Sequence, residues 1–220
     1  MFKTLTPILA DTYNYSTILT PDLPGHGTSK SSGPFTFAKA RSHLHDLIQP
    51  LKNSHPNRKV SIVGISLGGQ VVLDFLSHYP EDADAALISG VTIAPPDNVA
   101  GWEMPHMPPA ESEWMPLIME DVWITGMEEA QKIQELSLAF TFEAKHAIKD
   151  GRLLPPTLVV RGEHDITMAV RDHETLVERV KASCKEGSRG AVMRRAWHNH
   201  PIDLPDVFAK WIDDWNAEIL

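Results

Sequence analysis

The sequence has 220 residues, 42% of them hydrophobic, with a formal net charge of −9 and one cysteine, Cys184. This length and composition predict one globular core, and the negative charge without a basic run argues against nucleic acid or anionic membranes as partners. A lone cysteine excludes an internal disulfide framework and is typical of a reducing compartment. Since no apolar run is long enough to span a bilayer and the first residues lack a signal-peptide core, we expect a cytoplasmic protein.

The first third of the chain predicts two helices separated by a strand and a loop. Apolar residues at helical spacing in 1–10 predict the end of a helix, and residues 15–20 have the composition of a strand. A loop rich in turn formers follows at residues 21–29. Residues 37–51 predict a second helix, whose apolar face consists of Leu44, Leu47, Ile48 and Leu51.

The central feature of the sequence is a strand pattern that ends at a Gly-x-Ser-x-Gly motif. Residues 59–65 are mostly apolar and rich in β-branched residues, and the motif comprises Gly64, Ser66 and Gly68. Helical spacing of apolar residues begins directly after it, at Val71, Val72, Phe75, Leu76 and Tyr79. A strand, a tight turn and a helix are the context in which this motif is a nucleophile elbow.

The elbow requires these residue types for physical reasons. Ser66 has to lie on a strained turn so that its hydroxyl is exposed, and Gly64 and Gly68 lack the Cβ atoms that would keep strand and helix apart. The N–H of Leu67, at the helix start, is positioned to donate to an oxyanion. The flanking pattern favours this interpretation over a glycine-rich turn with an incidental serine.

The remaining strands and helices alternate regularly around one insert. Residues 85–93 predict a buried strand, and the alternation resumes near residue 154 with strands around 157–161 and 191–193. Helices are predicted at 172–182 and from 205 to the end of the chain. Alternating strands and helices predict a mostly parallel α/β sheet with flanking helices, built from residues 1–94 and 154–220.

The insert, residues 95–153, is rich in proline, methionine and tryptophan and then becomes helical. A long insert in a regular α/β pattern is often a functional lid, so we expect a helical cap. Large and flexible apolar side chains suit the wall of a substrate pocket, although most of them are also expected to form the cap's own small core. The candidate substrate-binding residues are Trp102, Met104, Trp114, Met115, Met119 and Trp123.

A serine nucleophile needs a base, and the base needs an acid that orients it. Asp165 lies just past one predicted strand and His198 lies shortly after the next. Because the carboxyl ends of parallel strands meet at one edge of a sheet, Ser66, Asp165 and His198 form the predicted catalytic triad. The alternatives are Asp97 as the acid and His200 as the base.

Four segments together resemble a known family. They are residues 22–29 (Asp-Leu-Pro-Gly-His-Gly-Thr-Ser), the elbow at 64–69, residues 158–165 with their Gly-x-x-Asp ending, and residues 197–208. This set resembles the α/β-hydrolase family, in the branch of small esterases, carbon–carbon bond hydrolases, cofactor-free haloperoxidases and hydroxynitrile lyases. The resemblance implies that family's fold and favours Asp165 over Asp97 as the acid.

The resemblance also distinguishes the two candidate bases. Many family members place the base seven residues before a proline, with an acidic residue two before that proline and a phenylalanine three after it. Pro205, Asp203 and Phe208 fit that register for His198 and not for His200. Trp197 departs from the pattern, because a glycine usually precedes the base.

The resemblance implies a serine hydrolase that acts on a small, largely apolar ester or related acyl substrate through an acyl-enzyme. In the family, a His-Gly loop supplies a second oxyanion donor, and we expect that loop and the first strands of the fold to be missing here. Two alternatives stay open, because one triad serves several reactions on this fold and because the missing loop would weaken catalysis. One is a carbon–carbon bond hydrolase or lyase of the same fold, and the other is a catalytically weak protein that binds a small ligand.

No motif indicates a metal or an organic cofactor. His43 and His45 face different ways on a helix, and the pair His198 and His200 lacks carboxylate or cysteine ligands at suitable spacing. Asp22 and His26 are expected to fix a turn. We therefore expect a small-molecule substrate and no cofactor, and the sequence leaves the oligomeric state open.

Overall fold

The structure, a computed structural model, describes residues 2–91, 132, 153–165 and 170–220. These residues form a parallel sheet flanked by helices, as the sequence predicts. Apart from residues 132 and 153, the predicted insert lies outside the described residues, and so do its six candidate pocket residues and Asp97. The described elements in chain order are α1 (Leu5–Tyr13), a 3-10 turn (Gly27–Ser32), α2 (Phe37–Ser54), β1 (Ser61–Ile65), α3 (Leu67–His78), β2 (Ala85–Ser89), β3 (Thr157–Gly162), α4 (Val170–Ser183), β4 (Arg189–Met193), α5 (His200–Asp203) and α6 (Pro205–Ile219).

The four described strands lie in the order β1-β2-β3-β4, and every neighbouring pair is parallel. Ser89 at the end of β2 is in register with Ile65 of β1 and with Val160 of β3. The carboxyl ends of the strands therefore lie at one edge of the sheet, where ligand sites of open α/β sheets form.

A separate apolar core covers each face of this sheet. Side chains alternate along a strand, so Ile88 of β2 packs on one face and its neighbour Leu87 packs on the other. The Ile88 face is covered by α2, α3 and α4, and the Leu87 face by α1 and α6. All five residues of β2 are buried, which explains its nearly continuous apolar sequence.

The prediction of a strand at residues 15–20 is wrong, because these residues form no strand in the structure. After Asn14, which ends α1 in a left-handed conformation, the chain packs into the apolar core that α6 covers and forms no strand. Asn216 of α6 donates a hydrogen bond of 2.8 Å to the Tyr15 hydroxyl. Strand propensity takes no account of tertiary contacts of this kind, so it did not predict the conformation of the segment. The strand predicted over 85–93 is also shorter, since β2 ends at Ser89.

Candidate active site

The predicted nucleophile, Ser66, lies between the end of β1 and the start of α3. Its backbone has φ 54° and ψ −124°, a conformation that a residue with a side chain rarely adopts. The Ser66 N–H donates to the carbonyl of Ser89 (2.8 Å), and the N–H of Gly69 donates to the carbonyl of Ser66 (2.9 Å). These bonds hold the strained turn, and Leu67 as the first residue of α3 provides one of the helix's leading N–H groups.

The close approach of β1 and α3 at the elbow depends on Gly64 and Gly69. A methyl group on Gly64 would lie 2.7 Å from the carbonyl carbon of Gly68, and one on Gly69 would overlap the side chain of Val91. The expectation that Gly68 is needed for the same reason is wrong. A methyl group on Gly68 would meet nothing within 4 Å in the described part of the chain.

The predicted acid and base are in direct contact. Nδ1 of His198 lies 3.2 and 3.1 Å from the two carboxylate oxygens of Asp165. The Asp165 side chain is fully buried and the His198 side chain is 19% exposed. A carboxylate only accepts hydrogen bonds, so Nδ1 carries the proton, and the lone pair of the neutral ring lies on Nε2.

The base segment, which we define as residues 195–198, is bound to the residues that follow β3. The Glu163 carboxylate accepts the Arg195 N–H (2.8 Å), and the His164 N–H donates to the carbonyl of Ala196 (2.9 Å). The Arg195 N–H is also the main reason that the pKa of Glu163 lies below its ordinary value. A methyl group on Gly162 would lie 2.6 Å from the Ala196 carbonyl oxygen. The acid and the base therefore belong to two segments that are fixed to each other.

Ser66 and the Asp165–His198 pair contact two adjacent residues at the end of β2, Ser89 and Gly90 respectively. Ser89 accepts the Ser66 N–H, and the next residue, Gly90, contacts the imidazole. A methyl group on Gly90 would lie 2.6 Å from Cε1 of His198 and 3.4 Å from Oδ2 of Asp165. The structure thus places the three predicted triad residues around one strand end. The sequence analysis did not identify Ser89 or Gly90, although a Ser-Gly pair that ends a buried strand next to an elbow strand is a usable signal.

The rival base, His200, lies in a different environment. Its side chain has no solvent exposure, and its Nδ1 donates to the carbonyl of Trp197 at 2.9 Å. Burial lowers the pKa of His200 from its ordinary value. Because His200 is oriented by a backbone carbonyl and not by a carboxylate, the geometry favours His198 as the base.

The other singled-out polar residues have structural contacts. The Asp22 carboxylate accepts the Thr28 hydroxyl (2.7 Å) and the Thr28 N–H (2.9 Å), which lower the pKa of Asp22. Nδ1 of His26 lies 3.1 Å from the carbonyl of Pro24, and Nδ1 of His45 lies 2.6 Å from the Asp82 carboxylate. In the described ranges, His, Cys, Asp and Glu side chains form no group of three or more that is arranged to hold a metal ion. No helix within those ranges has the length and apolar character needed to cross a membrane.

Comparison of the sequence with protein families gives one family. The model described as "Alpha/beta hydrolase family" matches residues 2–211. The chain is also similar to an AB hydrolase superfamily protein of Gibberella zeae, with 33% identity over 91 residues. That alignment covers 41% of this chain and 30% of the relative, so the matched part is less than a third of the relative's length.

Comparison with solved structures gives the same fold. The enol-lactonase from Burkholderia xenovorans LB400 has a TM-score of 0.70 at 18% identity, over 98% of this chain and 85% of that chain. NosK from Streptomyces actuosus has a TM-score of 0.66 at 17% identity, over 99% of this chain and 93% of that chain. MGS-M2, an alpha/beta hydrolase enzyme from a deep-sea metagenome library, has a TM-score of 0.67 at 20% identity, over 96% of this chain and 84% of that chain. Since the family model matches nearly the whole chain and the sheet has this fold, the protein belongs to the alpha/beta hydrolase family.

Proposed function

We propose that the protein is a serine hydrolase for a small, largely apolar ester or a related acyl substrate. Ser66 is the nucleophile, His198 is the base and Asp165 is the acid that orients the base. The observation that carries this proposal is the Asp165–His198 pair, which lies against Gly90 while the adjacent Ser89 binds the N–H of Ser66. Such an arrangement of a hydroxyl, an imidazole and a carboxylate performs acyl transfer on several folds.

Acylation follows from this geometry. Nε2 of His198 takes the proton of the Ser66 hydroxyl while the Ser66 oxygen attacks the acyl carbon. The carbonyl oxygen of the substrate becomes an oxyanion, to which the Leu67 N–H donates. Asp165 stabilises the imidazolium, and His198 then protonates the departing alcohol. The acyl group remains bound to Ser66.

Deacylation uses the same groups, with a water molecule in place of the Ser66 hydroxyl as the nucleophile. His198 takes a proton from a water molecule, and the resulting nucleophile attacks the acyl carbon. When the second tetrahedral intermediate collapses, the Ser66 oxygen leaves and receives its proton from His198. The products are a carboxylic acid and the free enzyme, and no cofactor is required for any step.

The proposed substrate class comes from the composition of the insert. The candidate pocket residues Trp102, Met104, Trp114, Met115, Met119 and Trp123 are large and apolar. Side chains of this kind suit acyl or alcohol groups of low polarity. One structure with the same fold is named an enol-lactonase, so lactones belong in the first substrate panel beside linear esters.

A reducing compartment, and within it the cytoplasm, is the proposed location. Cys184 is the only cysteine in the sequence, and its thiol is free and buried. A free thiol is typical of proteins that fold where glutathione keeps cysteines reduced. A fluorescent fusion expressed in the native host would test this location.

The proposed function is tested with the purified chain, p-nitrophenyl esters of increasing acyl length and a small lactone. We expect ester hydrolysis and covalent labelling of Ser66 by a fluorophosphonate, and we expect Ser66→Ala to lower kcat by roughly 10⁴-fold. Ser54→Ala, at the exposed end of α2, is the matched control and keeps full activity. Unchanged hydrolysis by Ser66→Ala eliminates the assignment. A cooperatively folded chain that binds one of these esters or the lactone, but does not hydrolyse it and resists labelling, points to the ligand-binding alternative.

A further inference from the structure

Two side chains outside the proposed triad connect the nucleophile to the base segment. Ser89 accepts the N–H of Ser66 through its backbone carbonyl (2.8 Å), and its hydroxyl lies 2.9 Å from Nε2 of His200. Nδ1 of His200 lies 2.9 Å from the carbonyl oxygen of Trp197, the residue that precedes His198. Two hydrogen bonds therefore lead from Ser89 to the backbone beside the base.

The chemistry of the partners determines where the protons lie. A carbonyl oxygen only accepts, so Nδ1 of His200 carries a proton and donates it to Trp197. The pKa of His200 is lowered by burial, so the neutral ring has its lone pair on Nε2, which faces the Ser89 hydroxyl. That hydroxyl also lies 2.9 Å from the Val160 carbonyl oxygen, so its one proton is shared between the Val160 carbonyl and Nε2 of His200. Both ring nitrogens of His200 are thus satisfied inside the protein.

The protein encloses both side chains of the pair. The Ser89 and His200 side chains are fully buried, and the His200 ring packs edge-on against Phe208 with 4.9 Å between the ring centroids. An unpaired imidazole or hydroxyl at such a position would lose its hydrogen bonds to water without replacement. The structure therefore ties the base segment to the end of β2 through directional contacts and not through apolar packing alone.

We propose that His200 and Ser89 are positioning residues that hold the Trp197 carbonyl and thereby place the His198 ring relative to Ser66. Neither side chain is a reacting group. The catalytic meaning of this inference rests on the proposed function, because only then does the distance between the imidazole and the Ser66 hydroxyl decide a rate. A misplacement of about 1 Å in such a pair lowers turnover by about 10²-fold.

Substitutions distinguish the two hydrogen bonds of His200, one to Ser89 and one to Trp197. His200→Leu removes both nitrogens, and Ser89→Ala removes only the hydroxyl. His200→Asn keeps a donor near the position of Nδ1 and loses Nε2. The matched control is His173→Asn on α4, because His173 is also buried and its Nε2 lies 3.2 Å from a backbone carbonyl, that of Val159.

Two measurements follow for each variant whose thermal transition shows a folded protein. The first is the separate effect on kcat and KM for the ester that the wild type hydrolyses best. We expect His200→Leu to lower kcat by about 10²-fold with KM unchanged, and we expect smaller kcat losses in His200→Asn and Ser89→Ala. The control His173→Asn lowers the thermal transition without changing kcat.

The second measurement is the downfield proton resonance of the His198 Nδ1–H that bonds to Asp165. We expect this resonance to shift or broaden in His200→Leu and Ser89→Ala and to stay unchanged in His173→Asn. This readout does not need an active enzyme. A wild type that neither hydrolyses esters nor reacts with a fluorophosphonate refutes the proposed function, while the resonance still tests whether the pair positions the base.

The inference is overturned if kcat and the His198 resonance of folded Ser89→Ala both equal those of the wild type. If His200→Leu does not fold, Ser89→Ala and His200→Asn decide the question, since each removes only part of the network. A loss of kcat in the control equal to that in the Ser89 variant would also overturn it, because general destabilisation then explains the effect.

Discussion

Gly90 and His198 lie in contact at the end of β2, and the contact leaves no room for a side chain on Gly90. A methyl group there would be 2.6 Å from Cε1 and 2.8 Å from Nδ1 of the imidazole. Gly90 also has φ 61°, in the left-handed region that favours glycine. The position of the proposed base therefore depends on a strand neighbour as well as on Asp165.

Gly90→Ala should impair catalysis more than it impairs folding. The added methyl group pushes the imidazole away from its present position, and the left-handed backbone costs an alanine about 1–2 kcal/mol. We expect kcat to fall by about 10²-fold or more, because the base is displaced from the nucleophile. Steady-state kinetics and urea unfolding measure the two effects separately. A folded variant with wild-type kcat would contradict the placement of His198.

Gly64→Ala should destabilise the protein, whereas Gly68→Ala should not. The first methyl group collides with the backbone of Gly68, and overpacking of this kind costs about 1–3 kcal/mol. The second meets open space within the described residues and improves helix propensity by up to about 1 kcal/mol. Urea midpoints of the two variants and the wild type test this difference. Equal losses would show that the elbow does not distinguish the two glycines.

The elbow and the Asp165–His198 contact could be predicted because their signals are local. The motif around Ser66 combines residue types with a strand before it and a helix after it. Asp165 and His198 are 33 residues apart in sequence, yet each follows a strand of a parallel sheet, and such strand ends meet. Periodicity and turn chemistry therefore predicted the architecture of this edge, and the family resemblance selected Asp165 over Asp97 and His198 over His200.

The contacts that were missed join distant parts of the chain. Ser89 and His200 are 111 residues apart, and within its own neighbourhood Ser89 resembles any small residue of a buried strand. Tyr15 lies 201 residues from Asn216, whose hydrogen bond helps to hold the segment against α6. Local patterns carry no information on pairings of this kind, so strand propensity gave a wrong prediction at residues 15–20.

Cys184 should resist alkylation in the native protein. Its side chain is buried, and burial raises the pKa of the thiol to about 11. At pH 8 only about one thiol in a thousand would then be ionised, and the thiolate is the reactive form. We expect iodoacetamide to modify the urea-unfolded chain readily and the folded chain hardly at all, as mass spectrometry would show. Rapid modification of the folded chain would contradict the packing around Cys184.

Stability should fall as the pH decreases from about 7.5 to 5. Burial lowers the pKa of both His173 and His200 below the ordinary value of 6.5. The unfolded chain then binds protons at a higher pH than the folded chain, so the stability is complete above 6.5 and is lost as the pH falls towards the folded-state values. The measurement is urea unfolding at several pH values in this window.

The variant His173→Asn isolates one of these two titrations. Removing the imidazole removes its proton uptake on unfolding, so the decrease of stability with falling pH should be smaller in the variant than in the wild type. Asp22, whose pKa is lowered from its ordinary value of 3.8, titrates at a pH below this window, so it does not affect the comparison of the two proteins. If the wild type and His173→Asn lose the same stability between pH 7.5 and 5, His173 is not held neutral by burial, and the contact between its Nε2 and the Val159 carbonyl has to be reconsidered.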